Sequence, residues 1–160
     1  MIAASASPEK LAVIEREYAP AATIVAEGRF REKVAEITGD ALADLVYDPV
    51  GGDVFDESTR CVAFGGKLLV VGFTSGRIPE ISVNIPLIKG FSIVGVRAGE
   101  YSRRFPDRGA FVRDETLRLL AEGRISPRVD RVLPLSRWRE GFAAMANREV
   151  VGKVVFVPGV

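Results

Sequence analysis

The chain contains no histidine and a single cysteine among its 160 residues. A His/Cys zinc site is therefore excluded, as is the histidine that ordinarily serves as general base for a Ser or Cys nucleophile. Cys61 cannot form an internal disulfide, which fits a reducing compartment. The sequence also lacks an excess of either charge: 22 basic residues face 21 acidic ones, leaving no net field to gather nucleic acid or an anionic membrane. No 18-residue apolar run and no charged-then-apolar leader is present, so neither a membrane span nor a secretory signal is read, and the expected compartment is the cytoplasm. Partners are thus expected to be small molecules rather than nucleic acid or membrane.

What is present is an alternation of short apolar runs and amphipathic stretches. Met1 to Ser5 reads as a strand, and Ser7 with Pro8 as an N-cap and first helical residue, with Leu11, Ile14 and Tyr18 on one face. Ala22 to Ala26 predicts a second strand, and Phe30, Val34 and Ile37 a helix that Gly39 closes. Ala43 to Asp48 predicts a third strand. After the turn at Gly51-Gly52-Asp53, Val54, Ser58 and Cys61 predict one face of a helix. Gly65-Gly66 reads as a turn into the strand Lys67 to Phe73, followed by a loop to Pro79, a short segment Ile85 to Lys89 and a strand Phe91 to Val96. Pro106 opens a helix that Gly123 ends; Arg131 to Leu133 is extended, Ser136 is read as the cap of a helix holding Trp138, Phe142 and Met145, and Lys153 to Val157 is a last strand. Strands apolar on both faces alternating with helices predict a doubly wound α/β domain with a parallel sheet covered on both sides.

In such sheets ligands bind beyond the carboxyl ends of the strands. After the first strand come Ser5, Ser7 and Lys10, with no acid to hold a ribose 2′-hydroxyl. Hydroxyls and a cation suit a 2′-phosphate, while Ser7 as a plain cap and Lys10 as a solvated residue is the bland alternative. Val50 and Gly51 sit in a glycine turn after the third strand, and Gly72, Phe73 and Thr74 follow the most strand-like run, where amides and a ring suit a flat carboxamide. Gly95, Val96 and Arg97 end the next strand. Cys61, on an apolar face, reads as a buried inert thiol, and Arg103, Arg104, Arg108 and Arg113 read as a solvated loop and helix face.

Together, Ala3 to Leu11, Val46 to Gly52, Phe64 to Phe73, Lys89 to Val96 and Gly152 to Val155 resemble the cofactor-binding C-terminal half of the zinc-independent quinone oxidoreductase branch of the medium-chain dehydrogenase/reductase superfamily. The resemblance implies a Rossmann-type sheet that binds NADP(H) and delivers a hydride to a quinone or an activated alkene. It places Ser5, Ser7 and Lys10 at the adenosine ribose phosphate, Val50 and Gly51 against a ribose, Gly72 to Thr74 at the nicotinamide, and Gly95 to Arg97 at its border. It assigns residues 1–126 to a partial nucleotide domain and 127–160 to a segment returning to an N-terminal barrel-like domain. It also implies a homodimer through Phe91 to Val96. No catalytic residue is assigned and no metal is expected.

The departures from the family are equally specific. The first Rossmann strand and its Gly-rich pyrophosphate loop are lacking, Tyr18-Ala19-Pro20 replaces a usual Gly-Ala-Asp, and Ala26 stands where a tyrosine often meets adenosine. A partial enzyme, weak or inactive alone, is the expectation. An enoyl or acryloyl thioester reductase and a noncatalytic dimerisation or binding module are the alternatives. Without the central strand, the sheet is expected to close strand 2 onto strand 4, to dimerise, or to stay open.

Overall fold

The computed structural model describes residues 1–159. It forms two compact units, Met1–Gly99 and Glu100–Val160. The first unit carries five parallel strands in two separate sheets.

β1 (Ile2–Ser5) leads into α1 (Pro8–Tyr18) and returns to β2 (Ala22–Val25), which pairs parallel to β1 with Ile2 opposite Ala22 and Ser5 opposite Val25. The helix starts where the sequence says it should. Ser7 is extended, its hydroxyl accepts from the Lys10 amide at 3.2 Å, and Pro8 supplies a first-turn residue whose missing N–H has no helical partner to lose. α2 (Arg31–Thr38) follows and ends at Gly39, whose φ of 58° is the left-handed cap expected of glycine. Its N-terminus has no local side-chain cap; instead Glu57, from the next helix, accepts from the Arg31 amide at 3.1 Å. Ile37, read as part of the apolar face, is exposed, while Phe30 and Val34 are buried.

The second sheet has the order β3-β4-β5, all parallel. β3 spans Ala43–Asp48, α3 Gly52–Ser58, β4 Val62–Val70, α4 Asn84–Lys89 and β5 Ser92–Gly95. Two expectations need correction here. Gly65-Gly66 does not turn the chain into a strand but lies inside β4, at the register shift between Ala43 and Leu45. A Cβ on Gly66 would lie 2.8 Å from Val62 Cγ1 and 3.0 Å from the Asp44 carbonyl oxygen, so the bulge needs a residue without one. The strand consequently begins five residues earlier than predicted and ends at Val70, leaving Phe73 in the loop. Likewise α3 stops at Ser58, and Cys61 sits in the turn before β4 rather than on the helix.

One cluster joins β1, β2 and α2 to α3 and to the turns that lead into β3 and β4: Ile24, Phe30, Val34 and Cys61, with Ile2, Ala26, Leu42 and Val54 packed against it. A second cluster lies on one face of β3-β4-β5, where Val46, Leu68 and Ile93 stand side by side under Phe55 of α3 and Ile81 and Ile85 near α4. The opposite face differs from the two-sided cover the pattern predicts. Leu45 is 56% and Tyr47 64% exposed. Among the described residues β1 and β3 do not pair, so the closure of strand 2 onto strand 4 is not made within the chain.

Cys61 is buried, its thiol donates to the Glu57 carbonyl at 3.4 Å, and burial, then the Glu57 charge, pushes its pKa up from 9.0 to about 11. This matches the inert thiol read from the sequence. The folded state therefore favours the protonated thiol, so its contribution to stability is full below pH 9 and is lost as pH rises toward about 11. Chemical denaturation at several pH values is expected to show wild type losing more stability than Cys61→Ala across that window. Equal pH slopes for the two proteins would refute it.

In the second unit, α5 (Ala98–Arg104), which begins at the boundary, and α6 (Pro106–Ala121) precede the parallel pair β6 (Val129–Pro134) and β7 (Lys153–Val157). α5 replaces the loop predicted there, with Glu100 paired to Arg103 at 2.5 Å and to Arg104 at 2.9 Å. α7 (Trp138–Ala146) enters through a 3₁₀ turn over Leu135–Arg137, so Ser136 lies in that turn and makes no cap, contrary to the reading of the sequence. Gly141 brings α7 against β7: a Cβ there would stand 2.5 Å from Phe156 Cζ. Among the described residues no helix is long and apolar enough to cross a membrane.

Candidate functional site

The four groups of site residues read from the sequence all fall in the first unit, just past the carboxyl ends of parallel strands. Ser5 ends β1 and Ser7 and Lys10 open α1; Val50 and Gly51 follow β3; Gly72, Phe73 and Thr74 follow β4; Gly95 ends β5 and Val96 and Arg97 follow it. Doubly wound folds place ligands at such an edge, because loops there converge while the strands behind them stay rigid.

Two of the groups are in contact. The loop after β4 lies against the turn after β3 through a ladder of main-chain bonds: Val71 N to Asp48 O at 2.9 Å, Thr74 N to Pro49 O at 3.1 Å and Ser75 N to Val50 O at 2.9 Å. Gly51 is held at φ 69°, ψ −157°, a conformation open only to glycine, and a Cβ on it would approach Phe73 Cδ1 to 2.9 Å. The Thr74 amide is consequently engaged by Pro49 rather than turned to a ligand. Val96 joins this edge through its amide, which donates to Val70 O at 2.9 Å.

The first group stands apart from these. Its hydroxyls are used locally: Ser5 Oγ accepts from the Ser7 amide at 3.2 Å, and Ser7 Oγ caps α1 while donating to Glu9 at 2.7 Å. That hydrogen bond holds the Glu9 carboxyl below its ordinary pKa.

Between the ends of β2 and β3 lies a cleft of about 480 Å³, within the range of small-ligand pockets. Ala26, Glu27 and Gly28 form one wall, Gly51 to Val54 another, and Ser75 and Arg77 the third. Only Gly51 of the residues read from the sequence lines it. Two further residues, neither among the site residues read from the sequence, organise this edge. Asp48 is buried, and its Oδ1 accepts from the amides of Val50 at 2.8 Å and Gly51 at 3.0 Å, which shapes the glycine turn. Arg77 pairs with Asp53 at 2.9 Å and with Asp56, pinning the loop to α3; both hydrogen bonds raise its pKa. The Asp-Pro-Val-Gly run hints at an Asx turn, whereas the Arg77 pairs span 24 and 21 residues and leave no local pattern.

The sequence model of the zinc-binding dehydrogenase family matches residues 21–156. The quinone oxidoreductase-like protein 2 of Bos taurus is 33% identical over 97% of this chain, and the acryloyl-coenzyme A reductase of Sulfurisphaera tokodaii 28% identical over 99%. Among solved structures, a probable oxidoreductase from Mycobacterium abscessus superposes on 98% of the chain with a TM-score of 0.81 at 30% identity. A mycobacterial protein complexed with NADPH superposes with a TM-score of 0.87 at 23% identity, which speaks to the fold alone. The chain spans 44% and 43% of the two relatives' lengths and 46% and 49% of the two solved chains. The family's name implies zinc, but this chain's residues do not fit it: there is no histidine, Cys61 is a buried high-pKa thiol, and among the described residues no group of three His, Cys, Asp or Glu could hold a metal. By the sequence match over residues 21–156, the chain belongs to the zinc-binding dehydrogenase family.

Proposed function

We propose that the chain is the nucleotide-binding part of an NADPH-dependent oxidoreductase that reduces a quinone or an activated alkene. The observation that carries this reading is the cleft at the strand ends, bounded by a turn whose Gly51 admits no side chain and by the loop pinned above it. NADPH, when bound, supplies the hydride from its nicotinamide ring. Of this chain's residues, Val50 and Gly51 would lie against a ribose, Gly72 to Thr74 would hold the nicotinamide, and Gly95 to Arg97 would border it. Ser5, Ser7 and Lys10 would meet the 2′-phosphate, for which Ser7 must give up its bond to Glu9. The chain's role is to orient the cofactor, so that the reacting atoms meet in one geometry.

The same reading places the protein in the cytoplasm as a homodimer through Phe91 to Val96. Among the described residues the outer edge of β5 has no strand partner and so offers this pairing. A second substrate class, an acryloyl thioester, is favoured by the match to an acryloyl-coenzyme A reductase along 99% of the chain.

Titration of NADPH, followed by the cofactor's own fluorescence, tests the proposal. Binding in the micromolar range is expected, some 4 kcal/mol tighter than a millimolar association. No binding at millimolar NADPH would leave a noncatalytic module as the correct reading. If NADPH binds, oxidation of the cofactor by a quinone against acryloyl-coenzyme A separates the two substrate classes.

A further inference from the structure

The loop after β4 is held differently at its two ends. Its first residues run along the turn after β3, where Val71, Thr74 and Ser75 donate to the carbonyls of Asp48, Pro49 and Val50. Gly76, at φ 87°, then donates to the Phe73 carbonyl at 2.9 Å and closes a tight turn. Arg77 fixes the far end. Its carbonyl accepts from the Gly52 amide at 3.1 Å and its own amide donates to Ser75 Oγ at 3.3 Å. Among the described residues, the next main-chain bond along the segment is the one from Ile85 to Ser82.

The Arg77 side chain adds a longer reach. Nη2 pairs with Asp53 at 2.9 Å and with Asp56, both on α3. That helix is itself anchored, because Phe55 is buried in the Leu68 cluster and Glu57 accepts the Arg31 amide at 3.1 Å. The loop sits so close that it fills the space of two side chains. A Cβ on Gly51 would come within 2.9 Å of Phe73 Cδ1 and 3.2 Å of the Arg77 carbonyl oxygen, and one on Gly52 within 2.7 Å of Ser75 Oγ. Phe73, Ser75 and Arg77 therefore rest on one glycine pair, and lifting Arg77 from α3 loosens the other two.

We propose that Arg77 is a positioning residue for the nicotinamide: by pairing with Asp53 and Asp56 it holds Gly72 to Thr74 in the shape that accepts the ring, without touching the cofactor. This rests on the NADPH reading and adds to it a residue that acts through the loop. The three side chains are exposed, and exposed pairs are individually weak, so changes of several-fold rather than complete losses are expected. The same guanidinium could instead serve by offsetting the carboxylates that line the cleft, Asp53 and Glu27, before an anionic ligand. The two roles differ in sign for one variant. Removing the carboxylate charges weakens the site if Arg77 is a pin and strengthens it if Arg77 is a counter-charge.

Amide hydrogen exchange in the nucleotide-free chain comes first. Arg77→Ala should speed exchange at Gly52, Thr74 and Ser75 about fivefold, while Leu68 and Val71 keep the wild-type rate. Arg77→Lys should recover part of that protection, because one nitrogen serves both carboxylates in the wild type. Asp53→Asn combined with Asp56→Asn should match Arg77→Ala. Titrations with NADPH and with 2′,5′-ADP, which carries the ribose phosphate and no nicotinamide, come second. Arg77→Ala and the double Asn variant should each weaken NADPH about fivefold and 2′,5′-ADP by less than about twofold. Unchanged exchange at the three amides overturns the proposal, as does an equal rise at Leu68 and Val71, which would mean general loosening. Equal weakening of 2′,5′-ADP overturns it by showing that Arg77 meets the ligand, and tighter NADPH binding by the double Asn variant overturns it in favour of the counter-charge. If the wild type binds NADPH and the variants bind it equally well, this proposal alone falls. If no form binds NADPH although the loop loosens as expected, the nucleotide reading fails and the proposal falls with it.

Discussion

Leu68→Ala is expected to remove about 2–5 kcal/mol of stability, the largest loss of any single side-chain truncation in the chain. Among the described residues Leu68 is the one large side chain that is wholly buried, at 0% exposure, in the central strand of the β3-β4-β5 sheet. It stands between Val46 of β3 and Ile93 of β5, with Phe55, Val62 and Phe91 completing its cluster. Those neighbours, on three strands, a helix and the entry to β5, are held by main-chain bonds, so they cannot close in on a vacated volume, and the cavity cost adds to the lost transfer energy. Against a total of about 5–15 kcal/mol for a domain, the loss is enough to populate unfolded chain. Urea unfolding followed by circular dichroism measures it. Leu45→Ala is the matched control: one strand away, the same truncation at an exposed site is expected to change stability by no more than about 0.5 kcal/mol. A Leu45→Ala loss as large as that of Leu68→Ala would mean that the exposed face of β3 is covered in solution.

The contrast between Leu45 and Leu68 also marks how far the sequence could be read. Both lie in apolar runs that predict strands, ADLVYD and KLLVVGF, and both strands exist. An apolar run in a parallel sheet says that both faces are to be covered, but not whether the covering elements lie in the same chain. Local chemistry was legible wherever a residue acts on its immediate neighbours: Ser7 and Pro8 start α1, Gly39 ends α2, Pro106 opens α6 and Gly123, at φ 68°, follows it. It failed where a partner lies far along the chain. Gly65-Gly66 looks like a turn until Val62 and Asp44 are seen to crowd Gly66. Phe30 offers no cap, yet α2 starts there because Glu57 reaches its first amide from 26 residues away. α5 was hidden for a different reason. Gly99 lies in its first turn and Pro106 just beyond its end, both suggesting a loop, while the Glu100 pairs that support it are worth only a few tenths of a kcal/mol each at the surface. The candidate site was legible as strand ends, because the αβ rhythm alone locates them. Its cleft and the Arg77 pin were not, since they depend on which loops converge.

Asp48→Ala should have the second largest effect, and it acts on the site as well as on stability. The carboxylate is buried at the end of β3, and its Oδ1 takes both the Val50 and the Gly51 amides. Removing it strands two donors in a position water reaches poorly, a cost of about 2–4 kcal/mol. The damage is directional, because those two bonds hold Gly51 in its glycine-only conformation beside Phe73. Once they are gone, the turn is free to leave the wall of the cleft, and the Pro49 and Val50 carbonyls that receive Thr74 and Ser75 move with it. Asp48→Asn separates shape from charge. The amide side chain keeps a carbonyl oxygen for the same two donors but without the charge that roughly doubles such bonds, so about half of the stability loss is expected to return. Hydrogen exchange at Val50 and Gly51 should follow the same order, slowest in wild type, intermediate in Asp48→Asn and fastest in Asp48→Ala. If Asn proves as damaging as Ala on both measures, the negative charge rather than the paired acceptor geometry is what Asp48 contributes. A site that orients its cofactor through the shape of this turn would then need a different account of how that shape is held.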